Sequence, residues 1–105
     1  MALMKADHST TAIGHGVKTV ATAGTDEALV ASSTPAVWVT IQAQTDNTGG
    51  IAVGASAVDA TVATGTGVYL AAGESVTLPV DNLADVYIDS TVNGDGVRYT
   101  YGIGT

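Results

Sequence analysis

Three segments of the chain alternate apolar and polar side chains with a period of two. In Ala36-Val-Trp-Val-Thr-Ile-Gln-Ala43, Val37, Val39 and Ile41 fall on one side and Trp38, Thr40 and Gln42 on the other, as a half-buried strand requires. Ser75-Val-Thr-Leu-Pro-Val80 repeats the scheme with Val76, Leu78 and Val80 on one face, and Asp85-Val-Tyr-Ile-Asp89 repeats it with Val86 and Ile88. Pro79 has no N–H to give to a ladder, which places it at an edge or a strand end. Elsewhere, short runs of Val, Ile, Thr and Tyr between Gly, Asn, Asp and Pro extend the pattern. Together they predict strands over about 17–22, 27–31, 36–43, 51–54, 68–71, 74–80, 85–89 and 97–103.

The turns are marked by residues that tolerate the left-handed region or cap a bend: Thr45 to Gly50, Ala72-Gly73, Asp81-Asn82 and Asn93-Gly-Asp-Gly96, the last with the look of a hairpin tip. Ala55 to Gly67 fits either a loop or a weak strand. Gly and β-branched residues interrupt every window long enough for an amphipathic helix. Short strands at this spacing predict an all-β fold, an antiparallel β-sandwich of jelly-roll or barrel-like form. Met1 to Gly16 lacks sustained alternation, so the expected organisation is an irregular N-terminal arm over 1–16 and a β-sandwich domain over 17–105.

At 105 residues and 46% hydrophobic content, the chain has the length of one domain. Its core is short of bulk: with one Trp, no Phe, four Tyr and two Met, Val, Ala, Leu and Ile must do most of the filling. Self-association is a natural supplement to so thin a core. Ten acidic residues against three basic ones leave a net charge of −7 and an isoelectric point of about 4.2. Lys5, Lys18 and Arg98 cannot build the basic stripe that phosphate neutralisation needs, so nucleic acid is not an expected partner, and an anionic membrane surface is disfavoured on the same ground. No stretch approaches the length of an apolar membrane span, and Met1 to Lys5 lacks the long apolar run of a secretory signal.

No residue set points to catalysis. The absence of Cys removes thiol nucleophiles, disulfides and zinc-thiolate sites together. His8 and His15, the two imidazoles, both fall in the expected arm and form no obvious metal pair. No Gly-x-Ser-x-Gly elbow presents a serine, and the chain is expected to be no enzyme. Asp81, Asp85, Asp89 and Asp95, with Asn82 and Asn93, gather oxygen ligands near the C-terminus, yet the alternating carboxylates and distant bidentate Glu of a calcium loop are missing. Turn capping accounts for them without an ion. Gly49-Gly50 and Gly65-Thr-Gly67 precede no helix, so they read as turns and not as a phosphate cradle. No cofactor and no metal are therefore expected. Trp38 is expected in the core or between the sheets, and Arg98 paired with a local Asp, within the chain or across an interface.

The block Leu70-Ala-Ala-Gly-Glu-Ser-Val-Thr-Leu78, followed by Val80 to Asp89 and Val92-Asn-Gly-Asp-Gly-Val97, resembles small structural proteins of tailed-bacteriophage virions. Val39 to Ala43 and Asn47 to Gly54 belong to the same pattern, which covers about residues 36–101. Such proteins are sandwich or barrel-like modules that decorate or cement the capsid, often as trimers; others of similar texture occur in tails and fibres. The resemblance implies a non-enzymatic virion protein on the capsid surface, made in the host cytoplasm, with the major capsid protein and further copies of itself as partners. It carries over no catalytic residue. In this setting Leu3, Met4 and Ile13 are the expected apolar anchors of an arm that orders against a neighbouring subunit. The alternative is a tail or fibre module binding a host-surface glycan, for which Tyr69, Tyr87, Tyr99 and Tyr101 are the candidate contacts.

Overall fold

A computed structural model describes residues 10–104. Its strands are β1 (Thr10–Thr19), β2 (Glu27–Ala28), β3 (Trp38–Ala43), β4 (Ile51–Gly54), β5 (Val68–Leu70), β6 (Ser75–Leu78), β7 (Tyr87–Ser90) and β8 (Gly96–Gly104), with one turn of 3-10 helix at Leu83–Asp85. They form two four-stranded sheets in the orders β1-β8-β3-β6 and β2-β7-β4-β5. Every neighbouring pair is antiparallel. The fold is all-β and sandwich-like, as the alternation predicts. First pairs with last, second with seventh, third with sixth and fourth with fifth, an order compatible with the two-Greek-key jelly roll.

Only β4 and β5 follow one another within a sheet; every other connection crosses from one sheet to the other. Asn93 to Gly96 is therefore not a hairpin tip. It carries the chain from β7 in one sheet to β8 in the other. The 85–89 strand starts late because Asn82 caps the 3-10 turn. Its side-chain oxygen accepts from the amides of Ala84 at 3.0 Å and Thr34 at 2.8 Å, satisfying donors that a strand would have sent into a ladder.

The arm expectation changes where the described residues begin. Residues 1–9, and with them Leu3, Met4 and His8, lie outside the described part, but Thr10 to Gly16 belong to β1. Their register is set residue by residue against β8, with Gly14 opposite Tyr101 and Gly16 opposite Tyr99. The missing alternation has a physical cause. At the inward positions of β1 the sequence places glycines, and the rings of Tyr101 and Tyr99 lie over them so closely that a Cβ on either glycine would collide with the ring. The neighbouring strand thus supplies the apolar cover that β1 itself does not.

Between the sheets, Val39, Ile41, Ala43 and Val97 meet Ile51, Val53, Leu70 and Ile88, all buried, with Val20, Leu29, Leu83 and Val86 closing the ends. Tyr99 and Tyr101 pack against this cluster with ring centroids 6.1 Å apart. Burial, together with the adjacent Tyr101, pushes the Tyr99 phenol above its usual range.

The segment 55–67 folds back across the outer side of the β2-β7-β4-β5 sheet. Val58 and Ala60 bury Ala52 there, with Tyr87 beside them. Asp89, 1% exposed, anchors the arrangement from β7. One carboxylate oxygen accepts the Ala60 amide at 2.9 Å, and the other accepts the Gly24 amide at 3.0 Å. Asp26 accepts the amide of Ala57 at 3.0 Å and so helps hold that residue in the left-handed region, at φ 75°.

Lys18 on β1 and Glu27 on β2 join the two sheets through an ion pair of 3.0 Å. Partial burial works to raise the Glu27 pKa, but Lys18 and the amides of Thr22 and Ala21 outweigh it and hold the carboxyl below its ordinary value. A carboxylate lowered on folding stabilises the fold at pH above its unfolded value, and that contribution disappears as the pH falls through the folded one. Glu27→Gln is expected to lower the melting temperature by a few degrees at neutral pH, with the gap to the parent protein closing as the pH is brought down through the carboxylate range. Melting curves at a series of pH values check this; a gap independent of pH would refute it.

Candidate interaction surface

The outer face of the β1-β8-β3-β6 sheet follows from the strand register. Ile13, His15 and Val17 come from β1, Arg98 and Thr100 from β8, Trp38, Thr40 and Gln42 from β3, and Ser75 and Thr77 from β6. No strand position on this face holds Asp or Glu. In a chain of net charge −7, the acidic residues among those described lie on other surfaces, in the loops, or buried.

Ile13 and Val17 are 66% and 64% exposed. Their exposure has the same cause as the hidden strand: with glycines taking the inward positions, the apolar side chains of β1 point to solvent. Of the three expected anchors, Ile13 is the one within the described residues, and it stands on this face. Trp38 is neither in the core nor between the sheets. It lies half-buried on the outer face, over Gly102, where a Cβ would collide with its indole, and its Nε1–H donates to the Thr10 hydroxyl at 3.0 Å. The parity that puts Val39 and Ile41 inside puts Trp38 outside. Thr40 and Thr77 share a hydrogen bond of 2.8 Å across β3 and β6.

Arg98 is exposed, and among the described residues no carboxylate lies within ion-pair distance of it. It separates two shallow depressions, one bordered by His15, Val17 and Thr100, the other by Gln42, Thr45 and Asp46. The guanidinium is thus presented with hydrogen-bonding groups on one side and apolar surface on the other. That combination suits a polar or acidic protein surface.

The acidic residues near the C-terminus do not converge, and no group of three or more His, Asp or Glu side chains gathers among the described residues. Asp95 lies buried under the loop between β3 and β4, where it accepts the amides of Gly49 at 2.7 Å and Thr48 at 3.1 Å. Asn93 accepts the Ala23 amide at 2.7 Å, and Asn47 exchanges two hydrogen bonds of 2.9 Å with Gly96. These side chains tie loops to loops at one end of the sandwich.

The four tyrosines separate as well. Tyr69, 47% exposed on β5, borders a cavity of about 240 Å³ with Asp59, Thr61 and Thr66, whereas Tyr87, Tyr99 and Tyr101 are half-buried. The amide and hydroxyl of Thr61 bond to Asp59 and hold its carboxyl below its ordinary value.

No family model, no curated protein and no solved structure matches the chain.

Proposed function

We propose that the chain is a non-enzymatic structural protein of a tailed-bacteriophage virion, decorating or cementing the capsid by binding major capsid subunits. The observation that carries this reading is the outer face of the β1-β8-β3-β6 sheet, whose strand positions hold no Asp or Glu, with Asp46 at its border, Ile13 and Val17 exposed, and Arg98 in no ion pair among the described residues. It joins the resemblance of residues 36–101 to virion proteins. A cementing protein needs a broad complementary face, and it needs neither a cleft nor a tuned acid or base. The acidic remainder of the surface keeps the bound protein oriented outward and repels non-specific contacts among copies.

A second reading, a tail or fibre module binding a host-surface glycan, is favoured by one feature, the exposed Tyr69 ring beside the Asp59 carboxylate and two threonine hydroxyls. Sugars stack on such rings and bond to such groups. Electron microscopy of phage particles labelled through this protein separates the readings, with label on heads expected. Purified heads lacking the protein should take up the recombinant chain, and Arg98→Glu should lower occupancy at least about tenfold, as loss of a complementary interfacial charge does. Label confined to tails, or full occupancy by the Arg98→Glu protein, would overturn the proposal.

A further inference from the structure

Among the described residues each sheet leaves two edges, and three of the four are blunted. β2 has two residues and β5 three, while β6 has four and is followed at once by Pro79. Short strands and proline are the ordinary protections against edge pairing. β1 is different: it runs for ten residues, contains no proline or acidic residue, and stands at the end of its sheet. Its one lysine, Lys18, is turned to Glu27 of the other sheet and does not guard the edge.

The hydrogen bonds fix which backbone groups face outward. The Gln44 amide bonds to the Gly96 carbonyl, which assigns the even-numbered residues of β8 to β3 and leaves Val97, Tyr99 and Tyr101 to bond to β1. Their partners in register are Lys18, Gly16 and Gly14. Val20 continues this parity by donating to the Asp95 carbonyl at 2.9 Å. Alternation along an antiparallel ladder then turns the N–H and C=O groups of Ile13, His15 and Val17 to the free edge.

The sequence of that edge is self-complementary. With two antiparallel copies centred on His15, Ile13 of each stands opposite Val17 of the other, Gly14 opposite Gly16, and Ala12 opposite Lys18. No acidic residue enters, Lys18 meets no like charge, and the two exposed apolar side chains stand side by side on the same outer face. The two His15 side chains meet at the axis. Arg98, on the outer face of β8, borders the same depression as His15. We propose that β1 is a two-fold pairing edge, whose partner is β1 of a second copy and which joins two four-stranded sheets into one continuous sheet. Such an interface is isologous and closes at two copies, so it does not propagate into a fibre. This inference stands apart from where the protein sits in a particle. It differs from the trimer that the resemblance implies.

Light scattering of the full chain after gel filtration should give twice the 10.4 kDa chain mass. Val17→Pro removes an N–H that faces the free edge and none that bonds to β8, so it should leave the fold intact by circular dichroism while yielding a monomer. Because the chain has no cysteine, single replacements report the register. In His15→Cys the two thiols meet at the axis, where paired Cα atoms stand about 5.5 Å apart, and should cross-link on oxidation. In Ile13→Cys the two thiols are offset by about 13 Å, four residues along the strand, and should not. A monomeric or trimeric mass, a dimeric Val17→Pro protein, or cross-linking by Ile13→Cys as complete as by His15→Cys would overturn the proposal. A monomeric full chain that dimerises once residues 1–9 are removed would overturn it too, since the edge would then be occupied from within the chain. Decoration of heads by a monomeric protein would leave the virion reading standing while this one fails, and a dimer that binds no particle would do the reverse.

Discussion

A chain lacking residues 1–16 is expected to melt at least about 10 °C below the full-length protein, while one lacking only residues 1–9 should melt within about 2 °C of it. The shorter truncation retains every described contact, because these begin at Thr10. The longer one removes Gly14 and Gly16, the ladder partners of Tyr101 and Tyr99. β8 then becomes the edge of its sheet over that stretch, and two rings that pack against the inter-sheet core lose the strand lying beneath them. At roughly 1 kcal/mol for each group, partial exposure of two tyrosines and loss of several backbone hydrogen bonds amount to more than about 3 kcal/mol. In a domain of this size, 1 kcal/mol shifts the midpoint by about 4–8 °C. Gly14→Val should act in the same direction, since its side chain and the Tyr101 ring compete for one space. Thermal melts of the two truncations decide the matter. If both melt alike and like the full chain, the first seven residues of β1 contribute nothing to the fold.

What made this strand hard to read explains much of what the sequence did and did not disclose. β3 and β4 are legible because their own side chains carry the two-sided pattern: Val39 and Ile41 inside, Thr40 and Gln42 outside, and in β4 a short wholly buried run, Ile51 to Val53. β1 carries no such pattern, for its inward positions are glycines matched to rings some 85 residues further on. A signal was nevertheless present, in that Gly14-x-Gly16 and Tyr99-x-Tyr101 share the period of two and stand opposite in an antiparallel pairing of first and last strands. Ile13 was legible as an apolar anchor, but the surface it belongs to was not, because the expected first strand begins only at Val17 and leaves Ile13 in an arm. Asp89 and Asp95 were readable as polar turn residues. Their burial depends on where the Gly24, Thr48 and Ala60 amides come to lie, which is a property of loops far away in sequence. The crossing of Asn93 to Gly96 between sheets was invisible for a related reason, since turn composition does not state which strand the chain will join next.

Asp89→Ala is the single substitution expected to cost most among the polar residues, about 2–4 kcal/mol, because two amides would lose a charged acceptor. Asp89 is almost wholly covered, so water cannot easily replace it at the Ala60 amide, whose bond to the carboxylate is itself buried. The loss extends beyond the two bonds. The Ala60 amide fixes the fold-back of 55–67, and with it the packing of Val58 and Ala60 on Ala52 and Tyr87; the Gly24 amide, in the connection from β1 to β2, also donates to the Ser90 carbonyl at 3.2 Å and keeps that partner. Asp89→Asn keeps one carbonyl oxygen as an acceptor but turns an N–H₂ group toward the other amide, so an intermediate loss is expected. Loosening should be local before it is global, since the inter-sheet core is formed by other residues. Limited proteolysis of Asp89→Ala should therefore cut within 55–67 under conditions where the parent chain resists, and denaturant unfolding should give the full loss. A midpoint within about 0.5 kcal/mol of the parent, the usual range for exposed polar substitutions, would show that the carboxylate is not the anchor of that segment.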